Sequence, residues 1–185
     1  MRSYLGRLWS ESRLVGGALL SAVLSLAALL PLPPPLQALP GMALFVLGFA
    51  LFDAVGWGTG VHWPRRWHDR VSVLPYRVIQ HLFLASLALN VGLLFGWRAA
   101  AAGVVAWWFG ACDLLFYLLL RLSPPARNAD GKPFRYVWME RWSVHAPVRL
   151  VFRAARVAYE CRKPHFVGGA LLGLLAGAAL CLWPM

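Results

Sequence analysis

Two long apolar runs lie next to each other in the middle of the chain. They are VIQHLFLASLALNVGLLFGW at Val78–Trp97 and AAAAGVVAWWFGACDLLFYLLL at Ala99–Leu120, with only Arg98 between them. Each run has the length that an α-helix needs to cross the hydrocarbon core of a bilayer, about 20 residues. Neither run contains Lys, Arg or Glu, and Asp113 is their only acidic residue. This pattern predicts two consecutive transmembrane helices.

Three further apolar segments extend this prediction to the whole chain. Hydrophobic residues make up 60% of the sequence and charged residues only 14%, a balance that is unusual for a soluble domain. We therefore predict an all-α, polytopic integral membrane protein that forms a single transmembrane helical domain over residues 1–185. The three further predicted spans are Leu14–Leu30, Met42–Gly58 and Val167–Trp183.

The basic residues predict the orientation of these five spans. All of the 18 Lys and Arg residues except Arg98 lie before the first span, between the second and third, or between the fourth and fifth. Basic residues collect on the cytoplasmic side of a membrane. We therefore expect a multi-pass protein of the inner (cytoplasmic) membrane with a cytoplasmic N-terminus and an extracytoplasmic C-terminus. The proline run Pro31–Pro35 is then predicted to be a rigid extracytoplasmic turn.

The longest segment between spans, 123–165, is predicted to carry an amphipathic helix. From Pro147 to Arg162, Arg149, Arg153 and Arg156 recur at helical spacing, opposite a stripe of apolar residues. Such a helix is expected to lie on the inner leaflet, where it gathers anionic lipid. The net charge of +11 follows from this topology, so we expect no nucleic-acid partner.

Two intramembrane acids are the first candidates for a site. Asp53 in the second span and Asp113 in the fourth are each expected at about 10–12 Å from the cytoplasmic end of their helices, from a rise of about 1.5 Å per residue. A carboxylate at that depth is costly unless it is paired, protonated or facing a wet cavity. We predict that the two face each other across one cavity. The alternative is a structural role, in which each carboxyl group is neutral and forms a hydrogen bond to a neighbouring helix.

Other polar residues are expected on the cytoplasmic half, where they could converge on the same cavity. The candidate catalytic residues are Asp53, Asp113, His81 and Glu140. Carboxylates and imidazoles of this kind act as general acids and bases or bind a divalent metal, which is possible here although no cofactor is identified. The candidate substrate-binding residues are Arg77, His62, His68, Asn90 and Tyr117.

These residue types suit an enzyme that acts on a lipid or isoprenoid, with an arginine on the anionic head and the tail in the bilayer. No diagnostic catalytic spacing is present, so whether the chain is an enzyme stays open. The alternative is a non-catalytic subunit or assembly factor of a membrane complex. A small transporter is a third interpretation, but the predicted outer loops hold little beyond Gln37 and Arg98 as strongly polar residues.

The expected partners follow from the same features. They are membrane lipids and a hydrophobic small-molecule substrate. Gly169, Gly173 and Gly177 in the fifth span form a small-residue pattern that lets another helix approach closely. That helix is either a neighbouring span or one of a second protein, so a homo-oligomer or a complex subunit is also possible.

Overall fold

The described part of the chain is built from helices. The computed structural model describes residues 12–61, 73–119 and 163–183. These ranges contain no β-strand, which confirms the all-α prediction. A short 3₁₀ turn, Ala27–Leu29, follows the first helix. The helices are α1 Ser12–Leu26, α2 Pro34–Val61, α3 Val73–Phe95, α4 Trp97–Trp108, α5 Ala111–Leu119 and α6 Lys163–Leu182.

A single residue, Gly96, connects α3 to α4. Its φ is 87°, a left-handed conformation that glycine adopts without steric cost. The amide of Ala99 then donates to the Gly96 carbonyl at 3.0 Å, which begins the new helix. The sequence predicted this break at Arg98, between Val78–Trp97 and Ala99–Leu120, and the structure has it two residues earlier, at Gly96.

Helix α2 begins earlier than predicted. We expected the second span to start at Met42 after a proline turn, but the helix starts at Pro34. Proline is tolerated in the first turn of a helix because its φ is already helical and its missing N–H has no intrahelical partner there. The extended stretch is limited to residues 31–33, and the side-chain amide of Gln37 donates to the Ala28 carbonyl at 3.2 Å across it.

The predicted fourth span, Ala99–Leu120, is not one helix. It is divided into α4 and α5 at Phe109 and Gly110. Gly110 has a φ of 93°, and its amide donates to the carbonyl of Trp107, three residues back, at 2.9 Å. The positive φ ends the α-helical ladder of α4, and the Leu114 amide starts that of α5 by donating to the Gly110 carbonyl at 3.0 Å.

Helix α6 packs closely along α4 through its glycines. A side chain at Gly177 would lie only 2.8 Å from the Ala102 carbonyl oxygen, and one at Gly173 would meet Ala106 and Phe109. Positions that rise along α6 meet positions that fall along α4, so the two helices are antiparallel. The glycine pattern of the last helix therefore serves a contact within this chain.

The core lies around the middle of α2. Phe45 and Val46 are buried there, and Gly103 of α4 leaves the space that the Phe45 ring fills. Half of the apolar stretch of α2 is buried inside the protein, whereas only 17% of the apolar stretch of α3 is buried. Helix α3 therefore lies at the periphery of the bundle.

Two of the described helices are long and apolar enough to cross a membrane. These stretches are Pro34–Gly56 and Val78–Phe95. The first and fifth predicted spans form shorter apolar helices, Val15–Leu29 and Val167–Leu182. By length and composition, the two longer helices are an indication of a membrane protein.

Candidate functional site

Three polar residues lie at similar depth near the end of the bundle that is opposite Gly96. Asp53 precedes the end of α2 at Val61 by about 12 Å, and Gln80 follows the start of α3 by about 10 Å, at about 1.5 Å per residue. Asp113 precedes the end of α5 by about 9 Å on the same reckoning. The three separations are similar, while the depth of the two acids below a membrane surface stays a prediction.

Gln80 binds Asp53 directly. Its Nε2 donates to Oδ1 of Asp53 at 2.7 Å, which joins α3 to α2. Gln80 is only 9% exposed, and Ala50, about one turn before Asp53, and Ala54, directly after it, are fully buried. An amide donor stabilises a carboxyl group in both its neutral and its charged form, because either form offers an acceptor oxygen. The contact can therefore hold Asp53 in place through a change of protonation.

Cys112 is a buried residue next to Asp113 in the sequence. Its side chain is 2% exposed, and its thiol lies within electrostatic range of both Asp113 and Asp53. The helix break at Gly110 places Asp113 in the first turn of α5. The free amides and the positive end of the dipole at a helix N-terminus favour a negative charge. The break therefore gives Asp113 a local environment that an uninterrupted helix would lack.

An aromatic layer lies beside the polar residues. Phe52 of α2 and Phe83 of α3 stack with ring centroids 4.2 Å apart and planes 9° apart. Phe49 adjoins this pair and meets Trp107 of α4 edge to face at 6.1 Å. Because Phe52 precedes Asp53 and Phe83 lies about one turn after Gln80, the layer forms an apolar boundary next to the Gln80–Asp53 contact.

The other predicted site residues are distributed as follows. His81 comes directly after Gln80 and is exposed on α3. Asn90 is also exposed, and its amide donates to the carbonyl of Ser86 at 2.7 Å and to the Ser86 hydroxyl at 3.3 Å. Asn90 thus lies on the outer side of the described bundle and bonds within its own helix.

Several predictions fall outside the described residues. Arg77 lies on α3 and Tyr117 on α5, but only their backbone is described. His62, His68 and Glu140 lie outside the described ranges, as does the predicted amphipathic helix from Pro147 to Arg162. Their place in a cavity stays a prediction, as does the expectation that Asp53 and Asp113 face each other.

Within the described ranges, no group of three or more His, Cys, Asp or Glu side chains is arranged to hold a metal ion. Asp53, Asp113 and Cys112 do not form such a group. Carboxyl groups such as those of Asp53 and Asp113 can give and take protons.

Gln80 and Cys112 were not among the candidate residues taken from the sequence. The signal for Gln80 was available, because an amide at the depth of an intramembrane acid is a natural partner for it. Cys112 gave no such signal, since a buried cysteine behaves as a small apolar residue.

Comparisons of the chain with protein-family models, with curated proteins and with solved structures give no match.

Proposed function

We propose that this chain is a five-pass protein of the inner membrane with a cytoplasmic N-terminus and an extracytoplasmic C-terminus. Helices α1, α2, α3 and α6 are four of the passes, and α4 and α5 together form the other. The proposal is supported by the alternating direction of neighbouring helices and by the position of the basic residues. Large apolar side chains that are exposed along the helices support it too, since lipid would cover them.

The orientation can be tested with reporters fused after Met185. A reporter that is active only outside the cytoplasm should be active there, and a reporter that is active only inside should not. A matched fusion after Arg70, in the basic segment between α2 and α3, should give the opposite result. Cytoplasmic activity of the fusion after Met185 would contradict the proposed orientation.

We further propose that the protein is an enzyme that acts on a lipid or isoprenoid from the cytoplasmic side. The observation that carries this proposal is the Gln80–Asp53 contact at 2.7 Å, with Cys112 in electrostatic range of both Asp53 and Asp113. A carboxyl group in the hydrocarbon region is costly, so its presence favours a functional role. Two of them near one buried residue can give and take a proton at one substrate.

Each residue has a role in this proposal. Asp53 and Asp113 are the acid and base, and Gln80 is a positioning residue that holds Asp53. His81, adjacent to Gln80 and exposed on α3, is the proton carrier of this proposal. Arg77, one turn before His81 on α3, holds the anionic head of the substrate. The stacked rings of Phe52 and Phe83 offer an apolar surface for the chain of the lipid.

The experiment compares lipids of cells that express the wild type or single variants. Asp53→Asn and Asp113→Asn keep the size of the side chain and an acceptor oxygen, so the variant at position 53 could still accept from Gln80, but they remove the ionisable group. We expect untargeted mass spectrometry to find a lipid change with the wild type that both variants lose. Gln37→Leu, which breaks a hydrogen bond at the other end of α2, is the control and should keep the change.

A non-catalytic subunit or assembly factor is the second candidate. The hydrogen bond between Gln80 and Asp53 also favours this candidate, because the same bond could serve only to join α2 to α3. In that case Asp53→Asn should preserve function in full, because the hydrogen bond survives. Lipid profiles that are identical for wild type and both folded variants would therefore favour this candidate and contradict the enzyme.

A further inference from the structure

The outer face of α3 carries polar groups where the proposed membrane position would leave them in lipid. Ser86 and Asn90 are both exposed, and they lie among exposed apolar residues, Leu89, Leu93 and Leu94. Ser86 is near the middle of the apolar stretch Val78–Phe95, and Asn90 lies one turn nearer to Gly96. Amide and hydroxyl groups in hydrocarbon are rare on a lipid-facing surface, because they lose hydrogen bonds to water.

The local hydrogen bonds do not use all of the polar capacity of this pair. Asn90 donates to the carbonyl and the hydroxyl oxygen of Ser86. An amide also has a carbonyl oxygen that accepts, and a serine hydroxyl also donates. In the described ranges, no hydrogen bond to the Asn90 Oδ1 or from the Ser86 hydroxyl is found. The outer face of α3 therefore presents one acceptor and one donor side by side.

We infer that this face of α3 is the contact between two copies of the chain. Around a twofold axis along the membrane normal, the two α3 helices run in the same direction and the same residues meet. The Oδ1 of Asn90 in each copy then accepts from the Asn90 amide or the Ser86 hydroxyl of the other. The surface is complementary to itself because it carries both a donor and an acceptor, so a second copy satisfies both groups at once.

The arrangement of the other helices supports this choice of face. The glycines of α6, which the sequence offered as a contact for a second protein, already pack against α4 of the same chain. Helix α3 has the apolar stretch with only 17% of its residues buried. The internal segments outside the description, 62–72 and 120–162, connect to helix ends opposite Gly96, whereas Asn90 lies about 9 Å from Gly96 along the helix axis.

Disulfide cross-linking in native membranes tests the inference. In a chain whose Cys112, Cys161 and Cys181 are replaced by alanine, one cysteine is introduced at Leu93 of α3 or, as the control, at Leu175 of α6. The two positions are matched, since Leu93 is 70% exposed and Leu175 is 69% exposed. We expect an oxidant to yield a covalent dimer from Leu93→Cys and not from Leu175→Cys. Equal yields from both positions would overturn the inference.

A second measurement uses the purified protein with its native Asn90 or a variant. Mass by light scattering in mild detergent should equal two chains for the wild type. Asn90→Leu should weaken self-association about tenfold, as expected for loss of an interhelical hydrogen bond in a membrane, and Asn90→Gln should keep it. A wild-type protein of the mass of one chain would overturn the inference, including the case in which a different protein occupies this face.

Discussion

Nη1 of Arg98 donates a hydrogen bond to the backbone carbonyl of Trp183 at 2.7 Å. Arg98 is the only basic residue outside the three basic segments, and Trp183 follows the last residue of α6. The carbonyl groups at the end of a helix have no intrahelical donor, and a cation there also interacts favourably with the helix dipole. The contact thus joins the start of α4 to the end of α6.

Replacement of Arg98 is expected to loosen this junction. Arg98→Leu should lower the free energy of unfolding by about 1 kcal/mol, because a charge-assisted hydrogen bond is lost at a partly exposed position. Arg98→Lys keeps the charge and should lose less. Unfolding in mixed micelles, followed by helical circular dichroism, measures both values. Wild-type stability of Arg98→Leu would show that the contact contributes nothing.

The close contact between α6 and α4 predicts opposite results at two glycines of α6. Gly177→Ala should lower stability by about 1–3 kcal/mol, because the added methyl group meets the Ala102 carbonyl oxygen and the Met42 sulfur. Gly168→Ala is the control, since a methyl group there has no atom within 4 Å. The control should be neutral or slightly stabilising, as alanine is the better helix former. Similar effects at both positions would argue against close packing of these helices.

The helix break at Gly110 predicts a backbone effect. Gly110→Ala should lower stability by about 1–2 kcal/mol, because a Cβ atom disfavours the positive φ of this residue. Gly16→Ala on α1 is the comparison, as this glycine has ample space and no positive φ. If Gly110→Ala is as stable as the comparison variant in the same unfolding assay, the left-handed turn between α4 and α5 is not present.

The contact between Gln80 and Asp53 predicts coupled energies. Gln80→Leu should lower stability by about 1–3 kcal/mol, because it removes a donor from a part-buried carboxyl group. With Asp53→Leu also present, the loss should be smaller than the sum of the two single losses, since no polar group is left without this partner. Single and double variants are compared by unfolding in micelles. Losses that add within about 0.5 kcal/mol would contradict direct coupling.

Apolar run length predicted where helices occur but not how each one begins or breaks. The pattern placed the break between α3 and α4 at Arg98, which interrupts the apolar sequence, whereas the structure has it two residues earlier, at Gly96. Nothing similar marks Gly110, which lies inside an apolar run where glycine is compatible with an intact helix. The start of α2 was misjudged for a different reason: a proline run resembles a turn, although Pro34 suits the first turn of a helix.

The sequence predicted roughly where the two acids lie along their helices, but not which side of each helix faces its neighbours. Counting residues from a helix end gave Asp53 and Asp113 similar positions, and the helix bounds place them about 12 Å and about 9 Å from the ends of α2 and α5. Which side of α3 faces α2 depends on packing, however, and a nearly uniform apolar helix hardly reveals it. The sequence therefore did not reveal that Asp53 is bonded to Gln80, since the candidate partners named from it were mainly acids and histidines.

The Arg98–Trp183 hydrogen bond also has a consequence for the order of assembly. The two residues are 85 positions apart, so the contact cannot form until α6 has been synthesised. Joining positions so distant costs chain entropy before it yields any contact energy. By contrast, α3 and α4 are joined by one residue and meet as soon as they are made. The hairpin of α3 and α4 should therefore form early, and the docking of α6 should complete the bundle as a late, separate step.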